Sequence, residues 1–170
     1  MLSKKVEKAL NEQLNAELAS SYIYLSLAAY FESENLDGFA SWMQVQAQEE
    51  VGHAMKFYNY IHSRGGRVHL TEIEGPQTSW KSPKSGFQSA LNHEKKITKR
   101  IDELVELANG ESDHASHQFL MWFVAEQVEE EESVGRVVDK LKMIDDAPGG
   151  IFMMDRELAG RAVAPQGHGG

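Results

Sequence analysis

The sequence predicts an all-α fold, a four-helix bundle with one long crossover between the second and third helices and a short fifth helix. Three observations support this prediction. Apolar residues recur every three or four positions in four long segments. The 170 residues include only 4 prolines, so few positions interrupt a helix. Very short connections join the first two segments and the last two, which makes each pair an antiparallel hairpin.

Capping and helix-breaking residues mark where each helix is expected to begin and end. Asn35 and Asp37 are candidate caps for the second helix, and Ser82, followed by a proline, is the candidate cap for the third. Ser112 or Asp113 is expected to cap the fourth helix. These signals predict helices over about residues 3–33, 36–64, 83–110, 113–145 and 151–160. One domain is predicted over residues 1–160, and residues 161–170 are predicted to be a disordered tail.

The connection between the second and third helices is too long for an ordinary turn. It spans about 17 residues, which can extend about 56 Å, whereas a helix of about 29 residues is about 43 Å long. The connection can therefore run along the whole bundle, which makes the second and third helices parallel. Val68, Leu70 and Ile73 are expected to anchor it on the bundle.

Composition excludes several classes of partner and site. The formal net charge of −9 argues against binding to nucleic acid or to an anionic membrane, because both need clustered Lys and Arg. Without cysteine, disulfides and thiolate metal sites are excluded. The N-terminus lacks a secretion signal, and the most apolar stretch, residues 22–31, is about half the length of a membrane helix. A cytoplasmic location is therefore expected.

Polar residues interrupt the core-facing stripe of each long helix near its middle. Counted from the two short turns, these interruptions fall at the same level of the bundle to within about one helical turn. An isolated glutamate in such a stripe usually reaches solvent, but four interrupted stripes at one level are not expected by chance. The interrupting residues are Glu17 in the first helix, Glu50 and His53 in the second, Glu94 in the third, and Gln127 and Glu130 in the fourth.

Burial of these residues points to bound metal ions. Carboxylates in an apolar core each cost several kcal/mol when they are charged and unpaired. No Lys or Arg occupies a core-facing position at this level to pair with them. Divalent cations would offset both the desolvation and the mutual repulsion. Four carboxylates and one imidazole suit two metals of intermediate hardness, such as iron or manganese.

Sequence motifs as well as spacing resemble those of the non-haem ferritins of bacteria and archaea, which belong to the ferritin-like di-iron proteins. The resemblance extends through Gly160. In haem-containing bacterioferritins a methionine follows the bridging glutamate, and here Val51 does, so together with Gln127 the resemblance implies no haem. The motifs are NAELASSYIY at residues 15–24, QEEVGH at residues 48–53 and AEQVEEEE at residues 125–132.

The resemblance also implies roles for individual residues. It implies two irons per subunit that share Glu50, with Gln127 and Tyr24 beside them, and in some members a third iron on the side of a cavity. A solvated acidic face is the alternative for the third group, and an ordinary core aromatic is the alternative for Tyr24. The implied groups are Glu17, Glu50 and His53 for the first iron, Glu50, Glu94 and Glu130 for the second, and Glu49, Glu126 and Glu129 for the third.

By the same resemblance, the expected function is iron storage coupled to ferroxidase activity. Fe(II) and either O2 or H2O2 would be the substrates, and the chain would assemble into a cage of 24 subunits. Two alternatives stay open at this point. One is a di-iron peroxidase or oxygenase without storage, although the absence of cysteine excludes rubrerythrins. The other is a cage that binds metal without turnover.

Overall fold

The computed structural model describes residues 1–145 and 147–162 of the chain. In the described part of the chain the helices are α1 (Lys4–Ser33), α2 (Asp37–Ser63), α3 (Pro83–Gly110), α4 (His114–Ile144) and α5 (Pro148–Leu158). Helices α1 and α2 pack as one hairpin, α3 and α4 pack as another, and α1 contacts α3 across the bundle. Helix α5 packs against α2 and α4. The predicted fold class is confirmed.

Buried apolar side chains form two clusters, one toward each end of the bundle. The cluster near the α1–α2 turn includes Phe31, Phe39 and Phe87. The cluster toward the opposite end includes Leu10 and Phe123. Along each of the four long helices, the polar interruptions predicted from the sequence fall between these two clusters, so the core consists of two apolar layers separated by a polar one.

Three of the four long helices begin with a capping side chain from their own sequence. Ser3 Oγ accepts a hydrogen bond from the Val6 amide at 3.2 Å at the start of α1. Ser82 caps α3 in a reciprocal arrangement with Ser85. Asp113, one of the two predicted candidates, caps α4 by accepting from the Ser116 amide at 3.0 Å.

The predicted cap of α2 is wrong. Leu36 occupies the capping position and offers no side-chain hydrogen bond, so neither Asn35 nor Asp37 caps the helix. Asp155 of α5 takes this role instead, since its Oδ1 accepts from the amides of Gly38 at 2.8 Å and of Phe39 at 3.1 Å. A tertiary contact thus replaces the local cap, and it also docks α5 on the start of α2.

Helix α5 begins earlier than predicted. It starts at Pro148, whereas the predicted start is at about residue 151. Proline is compatible with the first turn of a helix because the amide it lacks has no partner there. The Pro-Gly-Gly segment that was interpreted as the end of the preceding connection is therefore the first turn of α5.

The crossover at residues 65–81 is held to α1 by two asparagine side chains. Asn11 donates to the Arg67 carbonyl at 3.0 Å and accepts from the His69 amide at 2.7 Å. Asn15 makes the same two kinds of hydrogen bond with the crossover backbone further along the chain. These bonds pair backbone groups of the crossover that regular secondary structure would otherwise pair. Leu70 is 66% exposed, so the prediction that it anchors the crossover is wrong, whereas Val68 packs against the core.

Arg161, the first residue of the predicted tail, is partly buried against the packed helices. Its guanidinium lies over the Trp42 ring at 4.0 Å from the ring centroid. Residues 163–170 of the predicted tail lie outside the described residues. Within the described ranges, none of the helices is apolar enough over a sufficient length to cross a membrane.

Candidate metal centre

The polar layer of the core brings together six predicted side chains from all four long helices. Each is at most 4% exposed, although the layer lies between two apolar clusters. Residues three or four positions apart share a helix face, so Glu50 with His53 and Gln127 with Glu130 point the same way. The six residues are Glu17, Glu50, His53, Glu94, Gln127 and Glu130.

Potential ligand atoms form two buried groups that share one residue. In the first group, one ligand atom from each of Glu17, Glu50 and His53 lies within 4.8 Å of the others. In the second group the same holds for Glu50, Glu94 and Glu130. Glu50 therefore stands between two adjacent positions, each of which offers three ligand atoms to a cation.

The His53 ring is oriented by carboxylates on both of its nitrogens. Nδ1 lies 3.2 Å from Glu50 Oε2, and Nε2 lies 3.7 Å from Glu126 Oε1. The edge-to-face contact with Trp122, at 5.5 Å between ring centroids, limits the rotation of the imidazole. Carboxylates beside a ligating histidine fix its tautomer and raise its basicity.

Two glutamine amides that are not among the predicted site residues also contact the ligand carboxylates. Gln46 Nε2 donates to Glu50 Oε1 and to Glu130 Oε2, both at 2.8 Å. Gln13 Nε2 donates to Glu17 Oε1 at 2.8 Å. Each glutamine lies four residues before a ligand candidate on the same helix face, which is a signal that the sequence does carry.

Tyr24 and Gln127 both contact Glu94. The Tyr24 hydroxyl donates to Glu94 Oε1, so this tyrosine is more than a packing residue. Gln127 Nε2 donates to Glu94 Oε2 at 3.2 Å. The two donors together engage both oxygens of one carboxylate and thereby fix its plane.

Burial of several carboxylates together changes their protonation. Burial, and after it the charge of Glu50, raises the pKa of Glu17 and Glu130 well above the ordinary value and that of Glu94 to about 8. Burial also acts to raise the pKa of Glu50, but the hydrogen bond to His53, the charge of His53 and the hydrogen bond from Gln46 together outweigh this effect and lower that pKa.

Burial acts on the pKa of His53 in the direction opposite to its effect on the carboxyl groups. Burial acts to lower the pKa of His53, but the carboxylates of Glu126 and Glu50 beside its ring nitrogens raise it well above the ordinary value. Without a cation, the layer therefore contains a Glu50–His53 ion pair surrounded by protonated carboxyl groups.

The donor set fits iron. Glu17 Oε2 is buried, and no hydrogen-bond partner among the described residues reaches it, so one oxygen of this carboxyl group faces the layer unpaired. Such an orphaned oxygen is costly unless a cation binds it. Carboxylate oxygens with one imidazole nitrogen are the ligands of iron and manganese sites, whereas the softer metals prefer sulfur.

The three residues implied for a third iron do not converge. Glu126 lies within 4.8 Å of His53 and Glu130, measured between ligand atoms. Glu49 instead pairs with Arg161, whose Nη2 lies 2.7 Å from Glu49 Oε2. Glu129 is exposed and belongs to no group of potential ligands found among the described residues.

Comparison with known proteins identifies the family. The ferritin-like domain family matches residues 7–144, which is most of the chain. The chain belongs to the ferritin family. A bacterial non-heme ferritin of Bacteroides fragilis is 45% identical to this ferritin over 161 residues, which cover 95% of this chain and all of the relative. A bacterial non-heme ferritin of Staphylococcus epidermidis is 39% identical over 166 residues, which cover 98% of this chain and all of that relative.

Solved ferritin structures match the fold along nearly the whole chain. An open-pore ferritin of the hyperthermophilic archaeon Archaeoglobus fulgidus matches with a TM-score of 0.94 and 48% identity, covering 95% of this ferritin and 99% of the solved chain. A humanized archaeal ferritin matches with a TM-score of 0.96 and 47% identity, covering 97% of this ferritin and all of the solved chain.

Proposed function

We propose that this chain is a subunit of an iron-storage ferritin that oxidises Fe(II) to Fe(III) in the polar layer of its bundle. The observation that carries the proposal is the sharing of Glu50 between two buried groups of ligand atoms. Two cations bound by these groups would be bridged by one carboxylate. That arrangement allows both ions to give an electron to the same oxidant.

Each ligand residue has a role in this proposal. Glu17, Glu50 and His53 bind the first Fe(II), and Glu50, Glu94 and Glu130 bind the second. Tyr24 and Gln127 hold Glu94 in place through their hydrogen bonds to its two oxygens. Glu126 orients His53 through Nε2 and lies nearest to a third position for iron.

The oxidation balances as a two-electron reaction. Two Fe(II) ions give one electron each to O2, which takes up two protons and forms H2O2. With H2O2 as the oxidant, the same two electrons and two protons would convert it to two molecules of water. The carboxylates that are protonated without metal lose their protons when Fe(II) binds. Their negative charge then favours Fe(III) over Fe(II), because hard anionic oxygens bind the higher charge more tightly.

Storage requires an enclosed space, so the proposal includes assembly into a cage of 24 subunits, in the cytoplasm and without haem. Glu126, together with Glu49 and Glu129, would lead oxidised iron toward the cavity of this cage. The similarity to non-heme ferritins over the whole length of the relatives supports the assembly. Light scattering is expected to give a mass of about 458 kDa, which corresponds to 24 chains of 19.1 kDa.

The catalytic part of the proposal is tested by iron oxidation. Two Fe(II) per subunit are added without oxygen, the sample is mixed with O2, and Fe(III) absorbance is followed by stopped flow. Glu94→Ala is expected to slow oxidation at least about tenfold, because loss of metal-site residues typically costs tenfold or more in affinity or activity. Glu103→Ala is the matched control, since Glu103 is an exposed glutamate on the same helix. Oxidation by Glu94→Ala at the parental rate would contradict the proposed centre.

A further inference from the structure

Two arginines outside the ligand groups contact the glutamines of the polar layer. Arg161, which follows α5, donates from Nη2 to Gln46 Oε1 at 2.7 Å. Arg100, on α3, donates from Nε to Gln13 Oε1 at 2.9 Å. Both glutamines are buried, whereas both arginines are more exposed. The same sequence of contacts, arginine to glutamine to ligand carboxylate, thus occurs twice.

The chemistry of arginine fixes the direction of each glutamine amide. A guanidinium has only donors, so the amide oxygen must face it, and the amide NH2 must then face the other way. In that orientation Gln46 donates to Glu50 and Glu130, and Gln13 donates to Glu17. A flipped amide would place its oxygen against an acidic group and lose these hydrogen bonds.

Both arginines are themselves held in place by further contacts. Arg161 lies over the Trp42 ring, donates to the Trp42 carbonyl at 3.4 Å and pairs with Glu49. Arg100 also donates from Nη2 to the Glu12 carbonyl at 3.1 Å. Because a planar guanidinium loses little further freedom per hydrogen bond, each arginine can hold its glutamine without a large entropic cost.

We propose that Arg161 and Arg100 are positioning residues for iron, which fix the amides of Gln46 and Gln13 and so hold the ligand carboxylates in place before the cations bind. This inference rests on the proposed function, since it concerns the same two iron positions. The two arginines should act differently. Arg100 acts on Glu17, which belongs only to the first position, whereas Arg161 acts on Glu50 and Glu130 and so affects both positions.

Binding of Co²⁺ to the full-length protein tests this inference without any oxidation step. Calorimetry gives the affinity of each position, and the visible Co²⁺ spectrum reports the ligand geometry. Arg161→Met is expected to weaken both positions about tenfold, and Arg100→Met to weaken one of them about tenfold, as for other residues that orient metal ligands. Arg136→Met is the matched control, because Arg136 pairs only with exposed Glu132 among the described residues.

A double-mutant cycle separates positioning from a general structural effect. If Arg161 acts through Gln46, the double variant Arg161→Met/Gln46→Met should bind Co²⁺ as Gln46→Met alone does. Thermal unfolding and particle mass, measured on every variant, show that the fold and the assembly are intact.

Two results would overturn the inference. One is parental Co²⁺ affinity and spectrum in Arg161→Met. The other is a loss in Arg161→Met that recurs in full when Gln46 has already been replaced. Failure of the unsubstituted protein to bind two Co²⁺ per subunit would instead contradict the proposed function itself, and the inference would lose its basis with it.

Discussion

Glu50 is the residue on which the whole metal centre depends, because both ligand groups contain it. It differs from the other buried carboxylates in that its contact with His53 keeps its pKa low. Glu17, Glu94 and Glu130 hold protons that a cation must displace. In the metal-free protein Glu50 is therefore already charged, whereas the other three carboxyl groups must release protons when a cation binds.

The protonation of Glu94 predicts how the stability of the metal-free protein depends on pH. A carboxyl group whose pKa is raised by folding binds more protons in the native state than in the unfolded state, so stability falls as pH rises toward the folded pKa. For Glu94 this range extends from about 4.3, the usual value for glutamate, to about 8.

Glu94→Gln removes this titration while keeping the size of the side chain. Metal-free parent protein is therefore expected to lose thermal stability between pH 6 and pH 8, and Glu94→Gln to lose less of it. Scanning calorimetry in the presence of a chelator measures the difference. An equally steep loss in both proteins would show that Glu94 does not hold a proton in the native state.

The ligand candidates could be predicted from sequence because helical periodicity places them on core-facing stripes at one level. The residues that support them were harder to predict. Gln46 precedes Glu50 by four residues on the same helix face, but this spacing alone does not indicate that its amide also contacts Glu130, which belongs to another helix. Arg161 follows the predicted end of the domain in a segment rich in Gly, Ala and Pro, and only the folded chain brings it to Gln46.

At the scale of the elements, the junction of α2 and α5 allows no side chain at Gly38. A Cβ atom there would lie 1.7 Å from the carbonyl oxygen of Asp155, which is backbone and cannot move aside independently. Helix bounds were predictable from local signals, but this junction was not. The capping carboxylate lies 117 residues from the amide it caps, so no local pattern joins the two.

Gly38→Ala is expected to displace α5 and to destabilise the protein by about 2 kcal/mol, through the loss of the Asp155 cap and of packing. Urea unfolding at a fixed protein concentration measures the loss, and limited proteolysis after residue 145 reports the release of α5. Gly135→Ala is the matched control. A Cβ at Gly135 meets nothing within 4 Å, so this change should stabilise α4 by about 0.5–1 kcal/mol. Equal stability of the two variants would contradict the close approach.

At the scale of the whole molecule, the two hairpins are joined at one end by a polar contact. Arg64, at the end of α2, pairs with Asp113 at 3.1 Å, and Asp113 also caps α4. Burial acts to raise the pKa of Asp113, but the hydrogen bonds from Ser116 and Arg64 outweigh this effect and lower it. The topology was predictable from connection lengths, whereas this contact depends on how the hairpins align.

Asp113→Ala should cost about 1–2 kcal/mol at pH 7, because the cap and the ion pair are both lost. A carboxylate whose folded pKa is lowered contributes stability above its unfolded pKa and loses it as pH falls through the folded pKa. The difference between parent and variant should therefore shrink in acid. Urea unfolding at pH 7 and at about pH 2.5, which lies below the usual aspartate pKa of about 3.9, measures it, with the exposed Asp102→Ala as control. A difference that does not change with pH would exclude a charged role for Asp113.

The contact between Trp122 and His53 gives the centre a fluorophore of its own. Trp122 is 40% exposed, and its ring lies 5.5 Å, between centroids, from the imidazole of His53, which belongs to the first group of ligand atoms. The other two tryptophans, Trp42 and Trp80, belong to or pack against the apolar cluster near the α1–α2 turn. Emission from Trp122 therefore carries information on occupancy of the iron position that includes His53, without any attached label.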